Sequence, residues 1–186
     1  MLPLALDVSQ LPIALVGGGP QALRRLEALD EAGARHVRVF APSASPELAA
    51  RAAARLSARL PEDNEIAAAS LVFIGDVSPA EAAPLAAAAR AHGRLVNVED
   101  VMALCDFHMP AIVRRGDLVI GVSTGGASPA LARRVRERLE RLFGPEWAQR
   151  LQRLRTEREA LRAKGLTPPQ VSERAQALID TEGWLA

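Results

Sequence analysis

The first 122 residues alternate short, almost wholly apolar runs with stretches of helical character, and few folds tolerate that pattern. The runs are Leu11–Val16, Val37–Ala41, Leu71–Ile74, Leu95–Val98 and Leu118–Val122, with a weaker one at Leu56–Leu60. A strand with one face in water alternates polar and apolar residues, whereas a strand that is apolar throughout belongs in a parallel sheet covered by helices on both faces. Between the runs, Gln21–Ala32, Pro46–Arg55 and Pro79–His92 predict helices. Ser45-Pro46 and Ser78-Pro79 supply an N-cap followed by proline in the first turn, and Gly33 and Gly93 stand where helices end. The repeated unit predicts an α/β fold with a doubly wound, Rossmann-like parallel sheet.

After Ser128-Pro129 the pattern changes. Residues 130–142 place Leu131, Val135, Leu139 and Leu142 at helical spacing, and Gly144-Pro145 ends that helix. Glu146–Ala163 predicts a second helix with Trp147, Leu151, Leu154 and Leu161 along one side, and Thr167-Pro168 opens a last short one running to Ile179. Helices this few and short cannot bury an apolar face among themselves, so they must pack on the sheet or on a second subunit. Residues 1–110 carry 9 basic and 13 acidic side chains, net −4, and residues 111–186 carry 14 and 9, net +5. The second part therefore suits anionic partners, or presents an arginine-laced face to water.

Several classes are excluded. Cys105 is the single cysteine, which rules out an internal disulfide and a multi-cysteine zinc site. Aromatic residues are 3% of the chain, too few for a base-stacking surface, so no nucleic acid is expected. No stretch reaches the roughly 18 apolar residues of a membrane span, and the N-terminus lacks a basic signal-peptide region. A cytoplasmic protein without membrane contact is predicted. The absence of tyrosine excludes a catalytic Tyr-Lys pair.

Three segments can carry chemistry. Gly17-Gly18-Gly19-Pro20 follows the first strand and precedes a helix, where glycines let the backbone approach a pyrophosphate at the helix N-terminus. Ala22 takes the third position of the dinucleotide turn, and Ala41-Pro42 at the end of strand two offers only backbone to a ribose, leaving NAD and NADP undecided. Asn97-Val98-Glu99-Asp100 ends a strand at the edge where ligands bind in such sheets. Asp100 there is either a general base or a cap of the next turn, with Glu99 solvated. Ser123-Thr124-Gly125-Gly126-Ala127-Ser128-Pro129 offers hydroxyl and N–H donors to carboxylates or phosphates, Ser128 also being an N-cap. Cys105, Asp106 and His108 have a spacing that needs a helix to bind metal, which Pro110 opposes, so no metal site is predicted. His36 and His92 read as surface histidines without companions, and Trp147 and Trp184 as packing residues.

Taken in order, these segments resemble the precorrin-2 dehydrogenase/sirohydrochlorin ferrochelatase family, the N-terminal module of sirohaem synthases. The resemblance runs from Leu2 to about Leu142. It includes the triple glycine, Arg24-Arg25, Glu31-Ala32-Gly33-Ala34 and Val39-Phe40-Ala41-Pro42. Asn97–Asp100, Cys105-Asp106-Phe107, Pro110–Gly116 and Ser123–Arg133 follow. It implies an NAD-binding Rossmann domain at 1–110, a dimerisation region at 111–145 and a small all-helical domain at 146–186, working as a homodimer.

The implied chemistry is NAD-dependent oxidation of precorrin-2 to sirohydrochlorin, then insertion of Fe(II) or Co(II). Asp100 aligns with the family's catalytic aspartate. The implied cofactor-binding residues are Gly17, Gly18, Gly19, Pro20, Gln21, Ala41, Pro42, Gly75, Asp76 and Asn97. The implied tetrapyrrole-binding residues are Ser123, Thr124, Gly125, Gly126, Ser128 and Arg114, arginine being suited to carboxylate pairing.

The chain departs from the family at Ile74-Gly75-Asp76-Val77-Ser78, where Ala-Ala-Thr-Asp-Asp is usual, and at Gln21, usually valine. Both changes fall at the cofactor edge. Val101-Met102 replaces the usual acidic-proline pair. The methyltransferase domain of fused relatives is not expected in these residues. The alternative is a family member that binds a tetrapyrrole without turnover, as a carrier or regulator. An unrelated nicotinamide reductase would not explain residues 97–133.

Overall fold

A computed structural model describes residues 1–185 and divides into two compact units after His108. In the first, β1 (Pro12–Val16), α1 (Pro20–Glu31), β2 (His36–Phe40), α2 (Pro46–Ala52), β3 (Leu56–Ser57), α3 (Asp63–Ala68), β4 (Leu71–Ile74), α4 (Pro79–Ala91) and β5 (Leu95–Val98) follow in order. All five strands are parallel, in the order β3-β2-β1-β4-β5. The order reverses between β1 and β4, which opens a crevice at their carboxyl ends.

The unbroken apolar runs follow from two covered faces. Successive residues of a strand point to opposite sides. Ala14, Val16, Val72, Ile74, Val96 and Val98 pack with Ile66 of α3 and with Ala82, Leu85, Ala86 and Ala89 of α4. Ile13, Leu15, Val37, Val39, Leu71 and Phe73 face the other way, onto Ala22, Leu26 and Leu29 of α1 and Leu48 and Ala52 of α2. Ser45 and Ser78 cap α2 and α4 through bonds from Leu48 N and Glu81 N, as the Ser-Pro pairs predict.

Both sheet edges are managed. The weak run at 56–60 contributes only the two-residue β3, flanked by Arg38 and Arg59, which both pair with Glu65. The Arg59 guanidinium, with a further bond from the Glu62 N–H, holds the Glu65 carboxyl at about 2 against its ordinary 4.5. Beyond β5 the chain supplies its own cover. Val96 N donates to Asp106 Oδ2, Asp106 N donates to Val96 O, and Val98 N donates to Cys105 Sγ. The outward-facing N–H groups of this edge are thereby satisfied without another strand.

The second unit begins with a hairpin, β6 (Ala111–Arg115) and β7 (Leu118–Val122), followed by α5 (Pro129–Leu142), α6 (Trp147–Ala163) and α7 (Pro168–Thr181). Leu118–Val122 therefore does not join the parallel sheet, contrary to expectation. It pairs antiparallel with 111–115 across the two-residue turn Gly116-Asp117. Gly116 has φ +58, the left-handed first turn position that matches strand twist. After Ser128 the described elements are all helices, as the sequence predicts. Arg115 binds the end of α5, its guanidinium donating to Phe143 O and Glu140 O, carbonyls that the helix leaves without partners. Trp147 and Trp184 pack edge to face, 6.5 Å apart, as packing residues should. No described helix is long and apolar enough to cross a membrane.

Candidate functional site

The carboxyl ends of β1, β2 and β4 converge on the triple glycine. Gly17 has φ +140, and a Cβ there would overlap the carbonyl oxygen of Gly75 after β4. A Cβ on Gly18 would overlap the carbonyl oxygen of Ser43 after β2, and Ser45 N donates to Gly18 O at 2.7 Å. The turn needs glycine because three backbones meet in the space that side chains would fill. Pro20 opens α1, so its missing N–H costs nothing there.

The donors of this turn hold an anion from the chain itself. Ala22 N and Gly19 N both donate to Asp76 Oδ2, at 2.8 and 3.1 Å. Asp76 reaches them with φ +54, a left-handed backbone that aspartate tolerates better than most residues. Gln21 bridges outward from the same turn: its Oε1 accepts from Asp76 N at 3.1 Å, and its Nε2 donates to Asp100 Oδ2 at 2.8 Å.

Asp100 is exposed, lies just past β5 and also has a left-handed backbone, φ +60. It caps no helix; the 3₁₀ turn that follows starts from Val101 without a side-chain cap. Glu99 is not simply solvated, since Arg25 pairs with it at 2.8 Å while lying over the Phe73 ring. A cleft of about 210 Å³ runs beside these groups, lined by Gln21, Gly75, Asp76, Val98, Glu99 and Val101.

Other sequence candidates are placed differently. Asn97 is buried, and its amide donates to Phe107 O at 2.9 Å, which anchors the segment covering β5. Ala41 is buried with its N–H on Ser57 O, while Pro42 is exposed. Cys105 and Asp106 serve the sheet edge, and no group of three or more His, Cys, Asp or Glu side chains among the described residues could hold a metal. His92 has a companion after all, since its Nε2 lies 2.9 Å from Asp63 Oδ2.

In the second unit the hydroxyl loop is folded on itself. Thr124 Oγ1 donates to Ser128 O and accepts from Ser128 N, and Ser128 Oγ caps α5 through Leu131 N. Gly125 N donates to Ser123 Oγ, and Gly125 and Gly126 both have positive φ, 62° and 85°. Thr124 thus shapes the loop whose exposed backbone Gly125 and Gly126 form. Arg114 is half-buried, and its guanidinium has no partner among the described residues.

Sequence spacing indicated the glycine turn and Asp100 but not what joins them. The bridging amide of Gln21 and the carboxylate of Asp76 emerge only from the left-handed backbones at 76 and 100.

Residues 4–111 match a family model described as "Putative NAD(P)-binding", and residues 115–142 match the sirohaem biosynthesis protein central segment. The chain is 44% identical over 142 residues to a siroheme synthase of Methylococcus capsulatus, and 40% identical over 145 residues to siroheme synthase 1 of Cronobacter sakazakii. These alignments cover 75% and 76% of this chain but only 30% and 31% of the relatives, so the chain spans about a third of their length. Among solved structures, SirC, precorrin-2 dehydrogenase, superposes with a TM-score of 0.78 over 100% of this chain and 93% of that one, at 23% identity. That likeness establishes the shared fold.

Proposed function

Because the chain belongs to the NAD(P)-binding family whose model spans residues 4–111, we propose that it oxidises precorrin-2 to sirohydrochlorin with NAD. The observation that carries this reading is the Gln21 bridge, which sets the Asp100 carboxylate beside the glycine turn at the carboxyl edge of the sheet. The residues fit the cofactor's phosphates, since Gly19 N and Ala22 N already hold an anionic oxygen at the start of α1. When bound, the nicotinamide supplies the hydride acceptor. Pro42, exposed at the end of β2, offers its backbone to the adenosine ribose, and Phe40–Ser43 presents no arginine for a 2′-phosphate, which favours NAD over NADP.

Asp100 accepts the proton released in the oxidation. Insertion of Fe(II) or Co(II), as substrate, expels the two pyrrole N–H protons of sirohydrochlorin, and Asp100, exposed to water, takes each in turn and passes it to solvent. The loop shaped by Thr124 and Ser128 offers the backbone of Gly125 and Gly126 to the macrocycle's carboxylates, with Ser123 and Arg114 nearby in sequence. Residues 111–145 act as the dimerisation region: Val119, Leu131, Val135 and Leu142 are exposed apolar side chains that a second copy covers.

The test is an anaerobic assay with enzymatically generated precorrin-2 and NAD, following NADH and the tetrapyrrole spectrum, with Fe(II) or Co(II) added afterwards. Stoichiometric NADH with a sirohydrochlorin spectrum supports the dehydrogenase. A spectrum perturbed by binding without NADH supports instead a tetrapyrrole carrier or regulator, the reading favoured by the Asp76 carboxylate in the anion position.

A further inference from the structure

The anion position of a dinucleotide turn is filled in this chain by one of its own side chains. We propose that Asp76 sets the affinity for dinucleotide, its carboxylate being a built-in competitor that leaves when a pyrophosphate enters. The proposal rests on the NAD-binding reading above and adds to it the residue that governs occupancy.

The geometry is that of a phosphate oxygen: a single oxygen, Asp76 Oδ2, takes both the Gly19 and the Ala22 N–H groups at the start of a twelve-residue helix. Bonds of N–H groups to an ionised oxygen are among the stronger hydrogen bonds, and the helix N-terminus adds a favourable field. A pyrophosphate oxygen and the carboxylate cannot share these donors, since both are negative and need the same two N–H groups. Gly19 also records the fit, because a Cβ there would lie 2.8 Å from the Asp76 carboxyl carbon.

Asp76 can leave without unfolding anything. It is exposed, at the rim of the cleft, and beyond these two N–H groups its carboxylate has no partner among the described residues. The Asp76 N–H bond to Gln21 holds the backbone while the side chain rotates away.

Calorimetric titration of the full chain with NAD, ADP and adenosine compares the native protein with Asp76→Ala and Asp76→Asn. Both variants are expected to bind NAD and ADP more tightly, by at least tenfold for Asp76→Ala and less for Asp76→Asn, whose neutral amide oxygen still accepts from the turn. Adenosine, which carries no phosphate, should bind equally to all three. Asp76→Asn preserves shape and decides the matter if Asp76→Ala melts early. Unchanged or weaker NAD binding in the variants overturns the proposal while leaving the native protein a dinucleotide binder. Equal tightening for adenosine also overturns it, since the cleft would then merely have been reshaped. If NAD binds to none of the three proteins, the NAD reading falls with it.

Discussion

The two units differ most in how they dispose of apolar surface. Residues 1–108 bury twenty-six apolar side chains, twenty-five of them in two layers, one on each face of the sheet, whereas Val113, Ala132 and Val171 are the buried apolar side chains among the described residues of the second unit. Both units leave apolar side chains in the open, Leu2, Leu4, Leu6, Leu95 and Met102 in the first and Val119, Leu131, Val135 and Leu142 in the second, but only the first has a large core to set against them. A unit with its own core can hold a glycine turn and a carboxylate at its rim in fixed geometry. A unit with so few buried apolar side chains has less packing to hold its own loops in place.

The strongest way to break this contrast is to strip the rim of the first unit. Asp100→Ala should lower turnover by about 10²–10⁴-fold, the range for a lost general base, with the melting temperature and NAD affinity nearly unchanged. Loss of folded protein would instead make Asp100 part of the scaffold. A cut inside the core should behave oppositely. Leu26→Ala, at a side chain with 0% exposure, should cost about 2–5 kcal/mol in urea unfolding, whereas Leu142→Ala, exposed on α5, should cost less than about 0.5 kcal/mol when measured on dilute monomer.

The second unit is probed by charge. Leu131→Glu with Val135→Glu should abolish self-association in sedimentation and leave the first unit's unfolding midpoint in place. A dimer that persisted would move the interface elsewhere. The smallest effect belongs to the sheet edge. Glu65 has a depressed carboxyl value of about 2, so its stabilising contribution is complete above about 4.5 and fades as pH falls toward 2. Melting temperatures of the native protein and Glu65→Gln should therefore converge across that window. A constant gap between them would show that the carboxylate's charge is irrelevant there.

Much of the first unit was legible because doubly covered parallel strands write themselves as unbroken apolar runs and Ser-Pro pairs mark where helices begin. α3 escaped notice because six residues are too few to show a helical period, and its capping partner Glu65 reads as an ordinary charge. The sequence does not tell which sheet Leu118–Val122 joins, because an apolar run does not name its neighbour. The Gly116-Asp117 turn did name it, but Arg114-Arg115 hid the partner strand by giving it a charged end. At the site, the glycine turn and Asp100 could be found from strand-end position alone. The Gln21 bridge, the inward carboxylate of Asp76 and the structural use of Asn97 depend on backbone torsions and on which strand lies outermost, and residue spacing carries neither.

The chain that folds back along β5 has a consequence for crowded conditions. Amyloid growth and strand swapping both begin when a sheet presents a row of free donors to a passing molecule. Here Asp106 and Cys105 hold those donors on one flank, and the other flank tapers to two residues between arginines. Concentrated or aged preparations should therefore resist fibril formation seeded from this sheet, and a chain whose thiol has been alkylated would lose part of that resistance before losing its fold.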